Sequence, residues 1–137
     1  MSKPESDIIN REDIDLLMRE FYSRALADPV IGYIFTDVAK LDLDHHLPII
    51  GDFWETVLFR TGDYPRHGRT PLIVHGELHM KSPLRQEHFV RWLEIFREVV
   101  DANFVGDNAV FIKWRANAIA NRMLQYVSEL PSGAATT

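Results

Sequence analysis

A helical spacing of apolar residues recurs along most of this sequence, and it limits the possible folds more than any other feature does. The first stripe follows the spacing i, i+3, i+4, i+7, i+8 and i+11. It consists of Ile14, Leu17, Met18, Phe21, Tyr22 and Ala25. Apolar side chains at this spacing lie on one face of an α-helix, whereas a half-buried strand needs strict alternation. No segment alternates in that way between turn residues, so the sequence predicts an all-α protein.

Residues that favour helix ends divide the chain into separate predicted helices. Asn10 is suited to cap the first helix, and Pro29 ends it because the residue before a proline avoids helical torsion angles. A second helix is predicted over about 44–59, with Pro48 in its first turn, where a missing N–H breaks no intrahelical hydrogen bond. The other predicted elements are an apolar corner at 32–35, a short helical turn between 72 and 79, and helical stripes at 89–100 and 110–127. Gly106 and the two residues after it are expected to separate the last two helices and to cap the second.

Length and composition narrow the classes of function. The 137 residues suit a single domain, with about 10–130 ordered, a loop at 61–70 and a frayed tail at 131–137. The chain has no cysteine, which excludes disulfides and thiolate metal ligation and suits a reducing cytoplasm. Its net charge of -5 argues against a nucleic-acid partner, and no apolar run is long enough for a membrane span. We therefore expect a cytoplasmic protein that binds neither nucleic acid nor membrane.

A few polar side chains stand out against the apolar stripes. His75 and His79 are four residues apart, a spacing that can hold a metal ion on one helix face. His45 and His46 are adjacent near the predicted start of the second helix. Tyr22 and Trp92 are aromatic residues with polar groups, and both lie on apolar stripes that should face inward. Each of these residues also has an ordinary explanation, as a solvated or capping histidine or as a core aromatic, so none identifies a site by itself.

Five segments, taken in order, resemble the truncated haemoglobins, and most closely the third group of that family. They are FY at 21–22, GYIF at 32–35, HLPIIGDFW at 46–54, GDY at 62–64 and HMKSPLRQEHFVRWL at 79–93. The resemblance covers most of the chain from about residue 10 to about residue 125. No single segment is diagnostic, and the weight of the comparison lies in five segments that occur in register.

The resemblance implies a haem b held in a two-over-two helical sandwich, which is a shortened globin fold. It implies that the haem contacts Tyr22, Phe35, His46, Ile50, Phe53, His79, Phe89 and Trp92. His79 matches the proximal histidine, the ligand of the iron, and is preferred to His75 because its spacing to Trp92 fits the family without a gap. His46 matches the distal histidine and is preferred to His45 on the same ground.

On the distal side, the resemblance implies that Tyr22 and Trp92 donate hydrogen bonds to a ligand on the iron. The spacing of His46, Ile50 and Phe53 agrees with this, because i, i+4 and i+7 place an imidazole beside apolar side chains on one helix face. Candidate partners of the haem propionates are Arg66, Arg69, Lys81 and Arg85, and the alternative is that these residues are solvated loop cations.

The function implied by the resemblance is the binding of O2, NO or another diatomic ligand at a His-ligated ferrous iron. Storage, sensing, NO dioxygenase activity and peroxidase-like turnover all agree with such a site, and turnover would need a reductase partner. Two alternatives to a haem protein belong to other functional classes. One is a non-haem metal protein that uses His75, His79 and a further ligand, and the other is a helical interaction module without a cofactor.

Overall fold

The structure is a computed structural model that describes residues 4–60 and 71–130. Within these ranges every regular element is helical, which confirms the predicted all-α class. The elements are α1 (Arg11–Leu26), a π-helical corner (Ile34–Val38), α2 (Leu43–Phe59), α3 (Pro71–Lys81), α4 (Gln86–Asn103) and α5 (Asp107–Ser128). The predicted loop at 61–70 and the predicted tail at 131–137 lie outside the described residues. None of the helices within the described ranges is both long and apolar enough to cross a membrane.

Helix α1 follows the sequence prediction closely. The side chain of Asn10 accepts a hydrogen bond from the N–H of Asp13 at 3.0 Å and so caps the helix. All six residues of the predicted apolar stripe are buried. The helix ends at Leu26, a short distance before Pro29.

Helix α2 differs from the prediction at its N-terminal end. It begins at Leu43 with Asp42 as its cap, so Pro48 is the sixth helical residue and the prediction that it lies in the first turn is wrong. A proline there removes the hydrogen bond that the carbonyl of Asp44 would otherwise accept. Asp44 is exposed, so water can bind that carbonyl, and the carbonyl of Pro48 accepts a hydrogen bond from Arg11 at 3.2 Å.

The other two corrections concern α3 and the start of α5. The short turn predicted between 72 and 79 is an eleven-residue helix, α3. Gly106 does separate α4 from α5, but Asp7 supplies the cap by accepting the N–H groups of Asn108 and Ala109 at 2.8 Å each. Gly106 has φ 141°, and a Cβ there would lie 2.5 Å from Cγ of Asp7, so this close approach requires glycine.

The helices form two pairs that meet around one apolar core. Helix α1 packs against α2, α4 packs against α5, and contacts between α1 and α4 join the two pairs. Helix α3 packs against α5. On the outer side of the first pair, the guanidinium of Arg11 binds Asp15, Asp52 and Glu55 and holds α2 in place against α1. This arrangement leaves a cavity between α2 and α3.

Candidate functional site

A cavity of about 370 Å³ lies inside the helical assembly, with walls that are mostly apolar. Side chains from the corner and from all five α-helices line it. Seven of the eight predicted haem contacts are on its wall: Tyr22, Phe35, His46, Ile50, Phe53, Phe89 and Trp92. The fold therefore brings together residues that are far apart in sequence and that the family resemblance had grouped.

Tyr22 and His46 form a hydrogen-bonded pair on one side of the cavity. The Tyr22 hydroxyl lies 2.8 Å from Nε2 of His46, and the two rings meet edge to face. Burial raises the pKa of Tyr22, so its hydroxyl stays protonated. Burial, together with the nearby imidazoles of His75 and His45, lowers the pKa of His46. In the tautomer that carries its proton on Nδ1, a neutral His46 accepts a hydrogen bond from the Tyr22 hydroxyl at Nε2.

An aromatic cluster fixes the position of Trp92. Its indole stacks on Phe96 with ring centroids 5.1 Å apart, and Phe21 meets it edge to face at 5.6 Å. The indole N–H of Trp92 has no hydrogen-bond acceptor among residues 4–60 and 71–130, although the ring lines the cavity. A donor held in this way by packing can serve an acceptor that enters the cavity.

The two histidines of α3 occupy different positions. His75 lines the cavity, and its imidazole is close enough to His46 to contribute to the lowered pKa of His46. His79, the predicted iron ligand, is 6% exposed and does not line the cavity. Its Nδ1 accepts the N–H of Leu84 at 3.0 Å, in the turn that follows α3. Sequence spacing cannot separate these two positions, because residues four apart on a helix differ by only about 40° around its axis.

The hydrogen bond to Leu84 also determines the tautomer of His79. Because Nδ1 accepts an N–H there, a neutral imidazole carries its proton on Nε2. A metal-ligating histidine usually has the opposite arrangement, with one nitrogen on the metal and the other donating its proton to an acceptor. In this conformation, the Nδ1 atom of His79 stabilises the turn after α3.

The rim of the cavity carries further polar groups. Lys81 is on the cavity wall, whereas Arg85 is exposed at the start of α4, and the other two candidate propionate partners, Arg66 and Arg69, lie outside the described residues. His88 also lines the cavity, and sequence reasoning missed it. The available signal was its position four residues before Trp92, which places both on nearly the same face of α4.

The non-haem alternative needs a third metal ligand beside His75 and His79. Among the residues that the structure describes, no group of three or more histidine, aspartate or glutamate side chains is arranged to hold a metal ion. Of the two histidines of α3, His75 lines the cavity, whereas His79 is hydrogen-bonded to the N–H of Leu84.

Two helix pairs around an apolar cavity, with imidazoles facing it from α2 and α3, define a globin-type helical protein. A curated group 3 truncated haemoglobin of Campylobacter jejuni is 33% identical over 118 residues, which are 84% of this chain and 88% of that protein. The crystal structure of a group III truncated haemoglobin from Campylobacter jejuni matches with a TM-score of 0.78 and 30% identity, over 91% of this chain and 96% of that one. No family model matches the chain.

These similarities extend over most of both chains, so the chain belongs to the truncated haemoglobin family, in its third group. The family resemblance inferred from the sequence is confirmed. By its family the chain is a globin-type haem-binding protein.

Proposed function

We propose that the protein holds haem b in the cavity, that His79 would bind the iron as the family resemblance implies, and that diatomic ligands such as O2 or NO bind on the side of His46. One observation carries this proposal: the imidazoles of His46 and His75 line one apolar cavity from two different helices. When bound, haem supplies a ferrous iron that takes up such ligands, and an axial imidazole and an apolar pocket are the usual means by which a globin holds it.

The residues present fit a haem. Cofactor sites are clefts of roughly 300–1,000 Å³ with mostly apolar walls and a few polar groups that set orientation, and the cavity of about 370 Å³ has this character. The aromatic rings of Phe35, Phe53 and Phe89 provide flat apolar surface along its walls. Among the described lining residues, the polar groups are the imidazoles, the Tyr22 hydroxyl, the Trp92 indole N–H and the charged groups of the rim.

Two histidines of α3 could hold the iron, and the family resemblance favours His79. His79 is 6% exposed, and its Nδ1 accepts the N–H of Leu84, whose side chain lines the cavity. His75 lines the cavity directly and is the alternative ligand. Binding of iron at Nε2 of His79 would require its hydrogen bond with Leu84 to rearrange, because the proton of a neutral imidazole would then lie on Nδ1.

On the distal side, Tyr22 and Trp92 would each offer a hydrogen-bond donor to a ligand in the cavity. Trp92 can donate without breaking a hydrogen bond to any described residue, whereas the Tyr22 hydroxyl must first turn away from His46. The Tyr22–His46 pair would thus oppose ligand entry, and the bound ligand would gain a donor in return. Turnover of reactive oxygen or nitrogen species at this site would also need electrons from a reductase partner.

Purified protein supplied with haem tests the proposal and the ligand assignment together. Wild type should bind one haem per chain and show the intense Soret absorption of a His-ligated haem. We expect His79→Ala to lose stable haem binding and His75→Ala to retain it. The reverse result would make His75 the ligand, and a wild type without haem would refute the proposed function itself.

A further inference from the structure

Three polar side chains from three elements lie along the rim of the cavity. His88 in the first turn of α4 and Lys81 at the end of α3 both line the cavity. Tyr33, which directly precedes the π-helical corner, reaches the same rim, because its hydroxyl lies 3.1 Å from Nε2 of His88. Tyr33 is 39% exposed and Lys81 is also exposed, so this part of the cavity wall meets solvent.

The hydrogen bonds of His88 determine which of its ring nitrogens carries the proton. Its Nδ1 accepts the backbone N–H of Arg85 at 2.9 Å, so this nitrogen carries no proton. Burial lowers the pKa of His88, which agrees with a neutral ring that keeps its single proton on Nε2. That proton is donated to the Tyr33 oxygen, and the Tyr33 O–H is left to donate onward. Within the described residues, no acceptor takes it.

This chain of donors can serve an acceptor at the rim, and the ammonium of Lys81 favours a negatively charged one. A hydroxyl that already accepts a hydrogen bond is polarised and becomes a better donor. Hydrogen bonds from such a donor and from an ammonium to a carboxylate are charge-assisted and stronger than neutral ones. Haem carries two carboxylates on one edge of an otherwise apolar ring, and these must lie at the solvent end of the cavity because burial of an unpaired charge is costly.

We propose that Tyr33, His88 and Lys81 form a carboxylate-binding site at the cavity rim, and that this site holds a propionate of the haem. The inference rests on the proposed function, since it assigns the orientation of the same cofactor. It differs from the sequence expectation, which considered only arginine and lysine side chains. Glu77 of α3 is a further rim residue, and as a carboxylate it would repel a propionate and contribute nothing to holding one.

The rate of haem loss to an excess of a scavenging apoglobin measures this site without depending on activity. Tyr33→Phe, His88→Gln and Lys81→Met should each release haem roughly tenfold faster than wild type, as expected for loss of one hydrogen bond to a charged group. Lys113→Met serves as the control and should lose haem at the wild-type rate. Lys113 is a suitable control cation because it lies on α5 and pairs with the exposed Asp101.

Haem dimethyl ester, in which both propionates are uncharged, separates carboxylate binding from a general loosening of the pocket. With the ester, the three rim variants should release the cofactor within about twofold of wild type, because substitutions that share a partner are not additive. Equal acceleration with haem and with the ester would refute the inference, as would wild-type rates in all three variants. If the wild-type protein binds haem, the proposed function stands, and either result then concerns only the rim site.

Discussion

Replacement of Tyr22 by phenylalanine tests the distal pair more directly than any other substitution. The phenyl ring preserves the edge-to-face contacts with Phe21 and Phe35, at 5.1 Å and 5.7 Å between centroids. The substitution removes the hydroxyl that is hydrogen-bonded to Nε2 of His46, in a residue that is only 5% exposed. A buried acceptor left without its donor costs about 1–3 kcal/mol, so we expect the free energy of unfolding to fall by about 1–2 kcal/mol. For a chain of this size, that corresponds to a decrease in Tm of roughly 4–8 °C.

The same substitution should speed the dissociation of O2 from the ferrous protein. Loss of one donor to a partly charged ligand is worth about 1.5 kcal/mol, or roughly tenfold in rate. Denaturant unfolding and stopped-flow dissociation measure the two effects. Tyr126→Phe is the matched control, since its hydroxyl bonds to no described residue, and it should change the free energy of unfolding by less than about 0.5 kcal/mol.

A double-mutant cycle with His46→Leu decides whether the pair interacts as described. Removal of both polar partners leaves no buried acceptor unsatisfied, so the double variant should be less destabilised than the sum of the two single variants. We expect a coupling energy of about 0.5–3 kcal/mol, whereas independent sites are additive within about 0.5 kcal/mol. Additive free energies of unfolding would refute the hydrogen bond, and an unchanged O2 dissociation rate in Tyr22→Phe would refute its role in ligand binding.

Two further predictions concern parts of the fold that support the site. Burial by itself would raise the pKa of Asp28, but hydrogen bonds from Arg91 and from two backbone N–H groups outweigh it and lower that pKa. A lowered pKa stabilises the fold above the unfolded value of about 4, and this stability is lost as the pH falls further, so the deficit of Asp28→Asn in denaturant unfolding should shrink below about pH 4. Gly106→Ala should destabilise the protein by about 1–3 kcal/mol, because φ 141° strains alanine and its Cβ would collide with Asp7. A Gly106→Ala variant with wild-type Tm would contradict this explanation.

The amino-acid sequence was enough to predict the features that depend on neighbours within about one helical turn. The spacing of apolar residues predicted the helices, and the side chain of Asn10 predicted the start of α1, because both depend on local geometry. The order of the five family segments identified seven residues that line the cavity. These predictions succeeded because a helix face is a property of the local spacing and a family pattern carries residue identities in order.

The partner of each polar group, by contrast, depends on how the helices pack. His75 and His79 lie on nearly the same helix face, and the position of Leu84, beyond the end of α3, separates the cavity-lining imidazole from the one that stabilises a turn. The cap of α5 comes from Asp7, about a hundred residues earlier in the chain, and Tyr33 meets His88 across 55 residues. Hydrogen bonds of this kind require atoms to come within about 3 Å of each other, and only the packing of complete helices sets such distances between residues far apart in sequence.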